Sequence, residues 1–261
     1  MQRPENAGKI KWQARRFWQT LEVLCLLVFL LMVILIAVRM HETHRRKAEE
    51  NASLAQMESL SETAPEATSA MRGDMRDLYM QNDDFVGIVE FADMALYVCR
   101  GEDNVYYASH RLDGSEDPGG MIFMDYACTK ESENIILYGH NMNDGTRFGK
   151  LKRFADREYI EKYPVIRFAG LYETHEFVPF SVFYTSTDFA MDNHFDYIVT
   201  ELDDEAAFDD YTSEVKWRSL FDLDVDTAFG DRLLTLSTCS NELGDENGML
   251  VIVCREKRSG E

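Results

Sequence analysis

The chain has 261 residues, is 45% hydrophobic and carries a formal net charge of −20, so it can bury a core of ordinary domain size. The charge is uneven: residues 1–47 hold nine Lys/Arg against three Asp/Glu, while the rest hold 18 against 44. An acidic body lacks the basic footprint that nucleic-acid binding needs, which excludes DNA or RNA as a partner.

Residues 1–20 read as a basic tail. Val23 to Val38 is uninterrupted apolar sequence, and with Leu21 included it is just long enough to span a bilayer. Phe17 and Trp18 suit its interface. The run is long for a cleaved signal peptide, and Ala37-Val38-Arg39 is a poor cleavage site. The expectation is therefore an uncleaved transmembrane anchor over 21–38. Arg3, Lys9, Lys11, Arg15 and Arg16 precede it, and Arg39, Arg45, Arg46 and Lys47 follow it, so charge bias alone leaves its orientation open. Residues 39–82 are a polar spacer in which 48–60 and 70–80 suit helices.

From Asp84 onward, short β-type runs alternate with turn signals. They are Phe85–Phe91, Ala95–Cys99, Met121–Tyr126, Ile135–Tyr138, Val165–Leu171, His175–Tyr184, Leu233–Thr238 and Met249–Cys254. Eight such runs predict an antiparallel barrel or sandwich. Apolar residues at helical spacing predict one helix over 148–160 and another over 204–217.

Two of these runs end in a way that invites chemistry. Leu233-Leu-Thr-Leu-Ser-Thr-Cys239 gives way to the polar loop Ser240-Asn-Glu-Leu-Gly-Asp-Glu-Asn-Gly248. Ile135-Ile-Leu-Tyr-Gly-His140 gives way to Asn141-Met-Asn-Asp-Gly145. A lone cysteine is usually a small buried hydrophobe. A cysteine and a histidine at the C-terminal ends of two strands can instead face each other across one rim of a sheet. A nucleophilic thiol needs such a neighbour, because the thiolate is the attacking form.

Tyr138-Gly-His140-Asn141 and Thr235-Leu-Ser-Thr-Cys239 resemble the two signature motifs of sortases, the cysteine transpeptidases of Gram-positive cell surfaces. Asp84-Phe-Val-Gly-Ile88, Asp103-Asn-Val-Tyr-Tyr107, Gly120-Met-Ile-Phe-Met-Asp125-Tyr126 and the stretch from His140 to Leu151 are similar to class B, in the right order. The likeness runs from about Asp83 to Glu256. It implies a mainly β fold, an eight-stranded sortase-type barrel over 83–261 with added helices. It also implies catalysis by Cys239 and His140. Cys239 would cleave a sorting signal near the C-terminus of a secreted protein through an acyl-thioester. A peptidoglycan amine, or that of its lipid-linked precursor, would resolve it, with His140 as general acid and base. The implied partners are sorting-signal-bearing surface proteins, of haem-uptake or pilus type. The implied location is the cell membrane, with the N-terminus cytoplasmic and the catalytic domain extracellular. A surface cysteine hydrolase and a catalytically weakened binding module are the alternatives.

One departure from the family pattern matters. The sortase arginine at the start of the strand after the cysteine is replaced here by Met249. Arg147 and Arg255 are the candidate replacement cations, although Arg255 is six residues, about 20 Å, further along the strand. The acid that follows the cysteine in the family is also displaced, since Ser240 and Asn241 precede Glu242.

The other chemistry-bearing residues read plainly. Cys25 lies in the apolar run. Cys99, Cys128 and Cys254 read as core or edge thiols whose pairing sequence cannot decide. His110, His175 and His194 read as non-catalytic. Asp203–Glu205 and Asp222–Asp226 read as solvated acidic faces, because the second lacks the glycine and distant glutamate of a calcium loop. No metal or cofactor is implied.

Overall fold

A computed structural model describes residues 71–129 and 131–261, together with Met32, Arg39 and Arg45. The tail over 1–20, the anchor over 21–38 (apart from Met32) and the first spacer helix over 48–60 lie outside the described residues. Among those described, no helix is long and apolar enough to cross a membrane.

Helix α1, Gly73–Gln81, comes first. Strands β1 (Phe85–Phe91), β2 (Met94–Cys99), β3 (Ile122–Met124) and β4 (Asn134–Tyr138) follow, with a 3-10 turn at Tyr106–Ala108 inside the β2–β3 connection. A 3-10 segment at Leu151–Ala155 leads into α2, Arg157–Lys162. Then come β5 (Ile166–Gly170), β6 (Thr174–Ser186), α3 (Glu205–Arg218), β7 (Leu233–Cys239) and β8 (Gly248–Glu256). Each of the eight expected β runs forms a strand.

The strands close into a barrel in the order β1-β2-β3-β4-β7-β8-β6-β5, which leaves no edge unpaired. The antiparallel expectation needs correction, because β2–β3 and β4–β7 are parallel pairs. Parallel neighbours require a long crossover, and the β4–β7 connection supplies one through β5, β6 and α3. The single helix expected over 148–160 is also split. Asp156 is extended, and its side chain accepts from the Glu158 amide, so it ends one segment and caps the next.

Alternation along each strand divides the apolar residues between two environments. Val89, Leu96, Ile122, Ile135, Ile166, Val182, Leu234 and Leu250 bring one side chain from every strand into the central core. On the outside of β6, β7 and β8, Phe183, Leu233, Val251 and Val253 pack with Phe208, Tyr211 and Val215 of α3. Met75 of α1 joins a third cluster with Phe85, Ile88 and Tyr107. Buried Asn134 fastens the crossover over the β4–β7 seam. Its amide donates to the Val199 carbonyl at 2.8 Å and its oxygen accepts from Thr235 at 2.9 Å.

Candidate active site

The parallel β4–β7 ladder runs from Asn134↔Leu233 to Tyr138↔Ser237 without a shift. Two further residues in the same register place His140 beside Cys239. Contacts past the last paired rung hold this arrangement. The Gly139 amide donates to the Ser237 carbonyl at 3.3 Å, and the Thr238 hydroxyl donates to the Gly139 carbonyl at 2.7 Å. The Asn141 side-chain Nδ2 then donates to the Cys239 carbonyl at 2.9 Å. A side chain at Gly139 would displace its neighbours, since a Cβ would sit 2.4 Å from Ile122 Cδ1 and 2.9 Å from the Phe148 ring.

The face Cys239 occupies follows from alternation. Leu234 and Leu236 point into the barrel core, whereas Leu233 joins the outer cluster and Ser237 hydrogen-bonds the Tyr197 hydroxyl at 2.7 Å. Cys239 shares the outer face and is exposed, at the point where the strand ends. The sheet therefore presents this thiol to solvent on a rigid mount.

The other described cysteines, Cys99, Cys128 and Cys254, are buried and free of disulfides. Burial pushes the Cys99 thiol up to about 12 and the Cys128 thiol up to about 11, and it raises Cys254 as well. All three stay protonated near neutral pH. A limiting amount of iodoacetamide at pH 7 is accordingly expected to modify Cys239 well before the other three. Peptide mapping checks this, and equal labelling of a buried thiol would contradict it.

His140 Nε2 lies 2.8 Å from the Ala108 carbonyl oxygen. A carbonyl only accepts, so Nε2 carries the proton and Nδ1 is the basic nitrogen of the neutral ring. The orienting group usually supplied by a carboxylate is here a backbone oxygen. Sequence reasoning missed it, because a main-chain acceptor has no residue signature.

The two candidate cations, Arg255 and Arg147, and the residue at the arginine's position, Met249, separate clearly. Arg255 is at the wrong end of the barrel. It pairs in register with Leu233 at the start of β7 and is held by Asp226 at 3.3 Å and Glu261 at 2.6 Å. Arg147 lies in the loop after His140, with Nε 3.3 Å from the Gly119 carbonyl and a terminal nitrogen 3.4 Å from the Asp117 carboxylate. Met249 is the cross-strand partner of Cys239 and packs against the outer cluster.

The β7–β8 loop is tied to the end of β6. Asp245 accepts from the Ser186 hydroxyl at 2.5 Å, which lowers its carboxyl, and the Thr187 amide donates to the Asn247 carbonyl at 3.0 Å. The other described histidines have other partners: His110 stacks on Tyr106, His175 meets Glu256 at 2.7 Å, and His194 meets the Ser186 carbonyl at 2.8 Å. Asp222, Asp224 and Asp226 are exposed, as a solvated acidic face requires, and Asp226 also pairs with Arg255 and Arg258. Among the described residues no group of His, Cys, Asp or Glu is placed to hold a metal ion.

Comparisons with known proteins agree with this architecture. The chain is 34% identical over 186 residues to the sortase B of Listeria monocytogenes, covering 70% of this chain and 73% of that one. It is 29% identical over 189 residues to the sortase B of Staphylococcus aureus, covering 71% and 75%. The crystal structure of sortase B from Bacillus anthracis superposes with a TM-score of 0.67 at 28% identity, covering 81% of this chain and 98% of that one. No protein-family model matches.

Proposed function

The chain belongs to the class B sortases, which are cysteine transpeptidases, and from that premise we propose that Cys239 is its nucleophile and His140 its general acid and base. The observation that carries the assignment is the unshifted β4–β7 register, which sets the two residues side by side at the C-terminal rim. The Cys239 thiol gives its proton to His140, and the thiolate adds to the scissile carbonyl of a sorting signal, forming a C–S bond and an oxyanion. Collapse expels the amine, which takes a proton from His140, and leaves an acyl-thioester. An incoming amine gives its proton to His140 and attacks the thioester, which forms the new amide and frees the thiolate, and His140 then returns the proton to the sulfur. Nε2 stays on the Ala108 carbonyl throughout, so Nδ1 is the nitrogen that exchanges the proton.

The substrates in this reading are surface proteins bearing a C-terminal sorting signal, of the haem-uptake or pilus kind. The acceptor is an amine of peptidoglycan or its lipid-linked precursor. An anchor over 21–38 places the barrel outside the cell, with the tail inside and residues 39–82 as spacer and N-terminal helices, the last of which, α1, packs on the barrel through Met75. The apolar length of that segment supports the span, and the orientation rests on the family.

The test incubates the protein with a panel of sorting-signal peptides, with and without an amine nucleophile. Intact mass is expected to show a thioester adduct that converts to an amide with the added amine. A product released only as the free acid would favour the surface hydrolase. Absence of any adduct from a folded protein would favour the weakened binding module, for which Met249 is the supporting observation.

A further inference from the structure

We infer that Asp117 is a positioning residue for the transpeptidase reaction, holding both supports of the His140 imidazole from one buried carboxylate. This rests on the acid–base reading of His140 given above.

The Asp117 side chain is wholly out of solvent, and a carboxylate so placed must be paired and hydrogen-bonded. Its Oδ1 accepts from the Gly119 amide at 2.9 Å. Its Oδ2 accepts from Arg111 Nε at 2.9 Å and from a terminal nitrogen of Arg147 at 3.4 Å. These bonds lead to the imidazole along two routes.

The first route reaches the Ala108 carbonyl. The Asp117 amide donates to the Ser109 carbonyl at 2.8 Å, and the Met121 amide donates to the Tyr107 carbonyl at 2.8 Å. Residues 117–121 thus clamp the backbone on either side of Ala108. Gly120, with φ +52°, lies directly against that carbonyl, since a Cβ there would meet the Ala108 oxygen at 2.5 Å. Moving the 117–120 turn moves the acceptor of His140 Nε2.

The second route reaches the histidine's own loop. Arg147 has φ +51°, a left-handed conformation that a non-glycine residue keeps only when its surroundings enforce it. Its backbone bridges Asn141, and the Asn141 side chain holds the Cys239 carbonyl. The guanidinium that reaches back to Asp117 therefore anchors the far side of the loop that carries His140. Both routes end at the same carboxylate, through its bonds to Gly119 and Arg147. Its effect on the reaction passes through the imidazole.

The experiment compares wild type with Asp117→Asn, reading steady-state acyl transfer to an amine and the ring-nitrogen NMR shifts of His140 in the full chain. Asp117→Asn is expected to lower kcat by about 10- to 100-fold with KM changed less than about threefold, as for a reacting group displaced by a fraction of an ångström. The His140 shifts are expected to move from a single Nε2–H tautomer to a mixture. Should Asp117→Asn fail to fold, Arg147→Gln tests the second route with the same readouts, because that side chain is partly exposed. A single Nε2–H tautomer and unchanged kcat in the folded variant would overturn the inference at the carboxylate. Wild-type acyl transfer by His140→Gln would overturn it at its premise, so the two failures are distinguishable.

Discussion

Cys239→Ala is expected to leave a folded protein that forms no acyl adduct and transfers acyl groups at least about 10⁵-fold more slowly than wild type. The thiol is exposed at the last residue of β7, where its removal opens no cavity, so the thermal midpoint should move by no more than about 2 °C. His140→Ala is expected to cost a similar factor. A nucleophile and its base act as one unit, so the double variant should be no slower than the slower single variant by more than about threefold. Intact-mass detection of the peptide thioester and the rate of amide formation measure both. A Cys239→Ala protein that still forms a covalent adduct would move the nucleophile elsewhere. Cys99, Cys128 and Cys254 are poor substitutes, because their burial keeps the thiol protonated.

The sequence expressed the strands well because each is a short apolar run bounded by turn residues, and that pattern reports which residues are buried. It does not report which strands are neighbours. Val98↔Ile122 and Ile136↔Thr235 are parallel rungs, yet nothing in either run distinguishes them from antiparallel ones. Asp156 was legible as a polar residue within a helical pattern, but its extended backbone makes it a break. His140 and Cys239 could be singled out because both end a buried run in a polar loop. Asp117 and the Ala108 carbonyl could not. The first lies in a loop of turn-forming residues, and the second is main chain whose role depends on where Gly120 and Met121 press it. Arg147 shows the same limit, since its charge was visible in sequence whereas its pairing with Asp117 depends on a left-handed backbone.

Met249→Arg is expected to raise the rate of thioester formation by about 10- to 100-fold. Removing one oxyanion donor typically costs about 10² to 10³ in kcat, and a donor restored to a scaffold not otherwise adjusted to it should recover part of that. The geometry for recovery is present. The Ser240 amide donates to the Gly248 carbonyl at 2.8 Å, so residues 240 and 248 form a hydrogen-bonded pair. Cys239 and Met249 are then the adjacent non-hydrogen-bonded pair, in which the Cα atoms approach to about 4.5 Å and the side chains are closest. A guanidinium growing from position 249 would start on the same face as the sulfur. A thioether there offers only a weak acceptor and no donor. The arginine stem can cover the apolar surface of the outer cluster against which Met249 now packs, while its head reaches toward solvent. Met249→Lys should recover less, because an ammonium lacks the planar fork, and Met249→Gln less again. Single-turnover acylation of the same peptide by the four proteins decides the matter. If the arginine variant is folded and acylates no faster than wild type, the oxyanion in this enzyme is held by groups that do not need a cation at 249. Arg255 would not be among those groups, since it is committed to Asp226 and Glu261 at the far end of the strand.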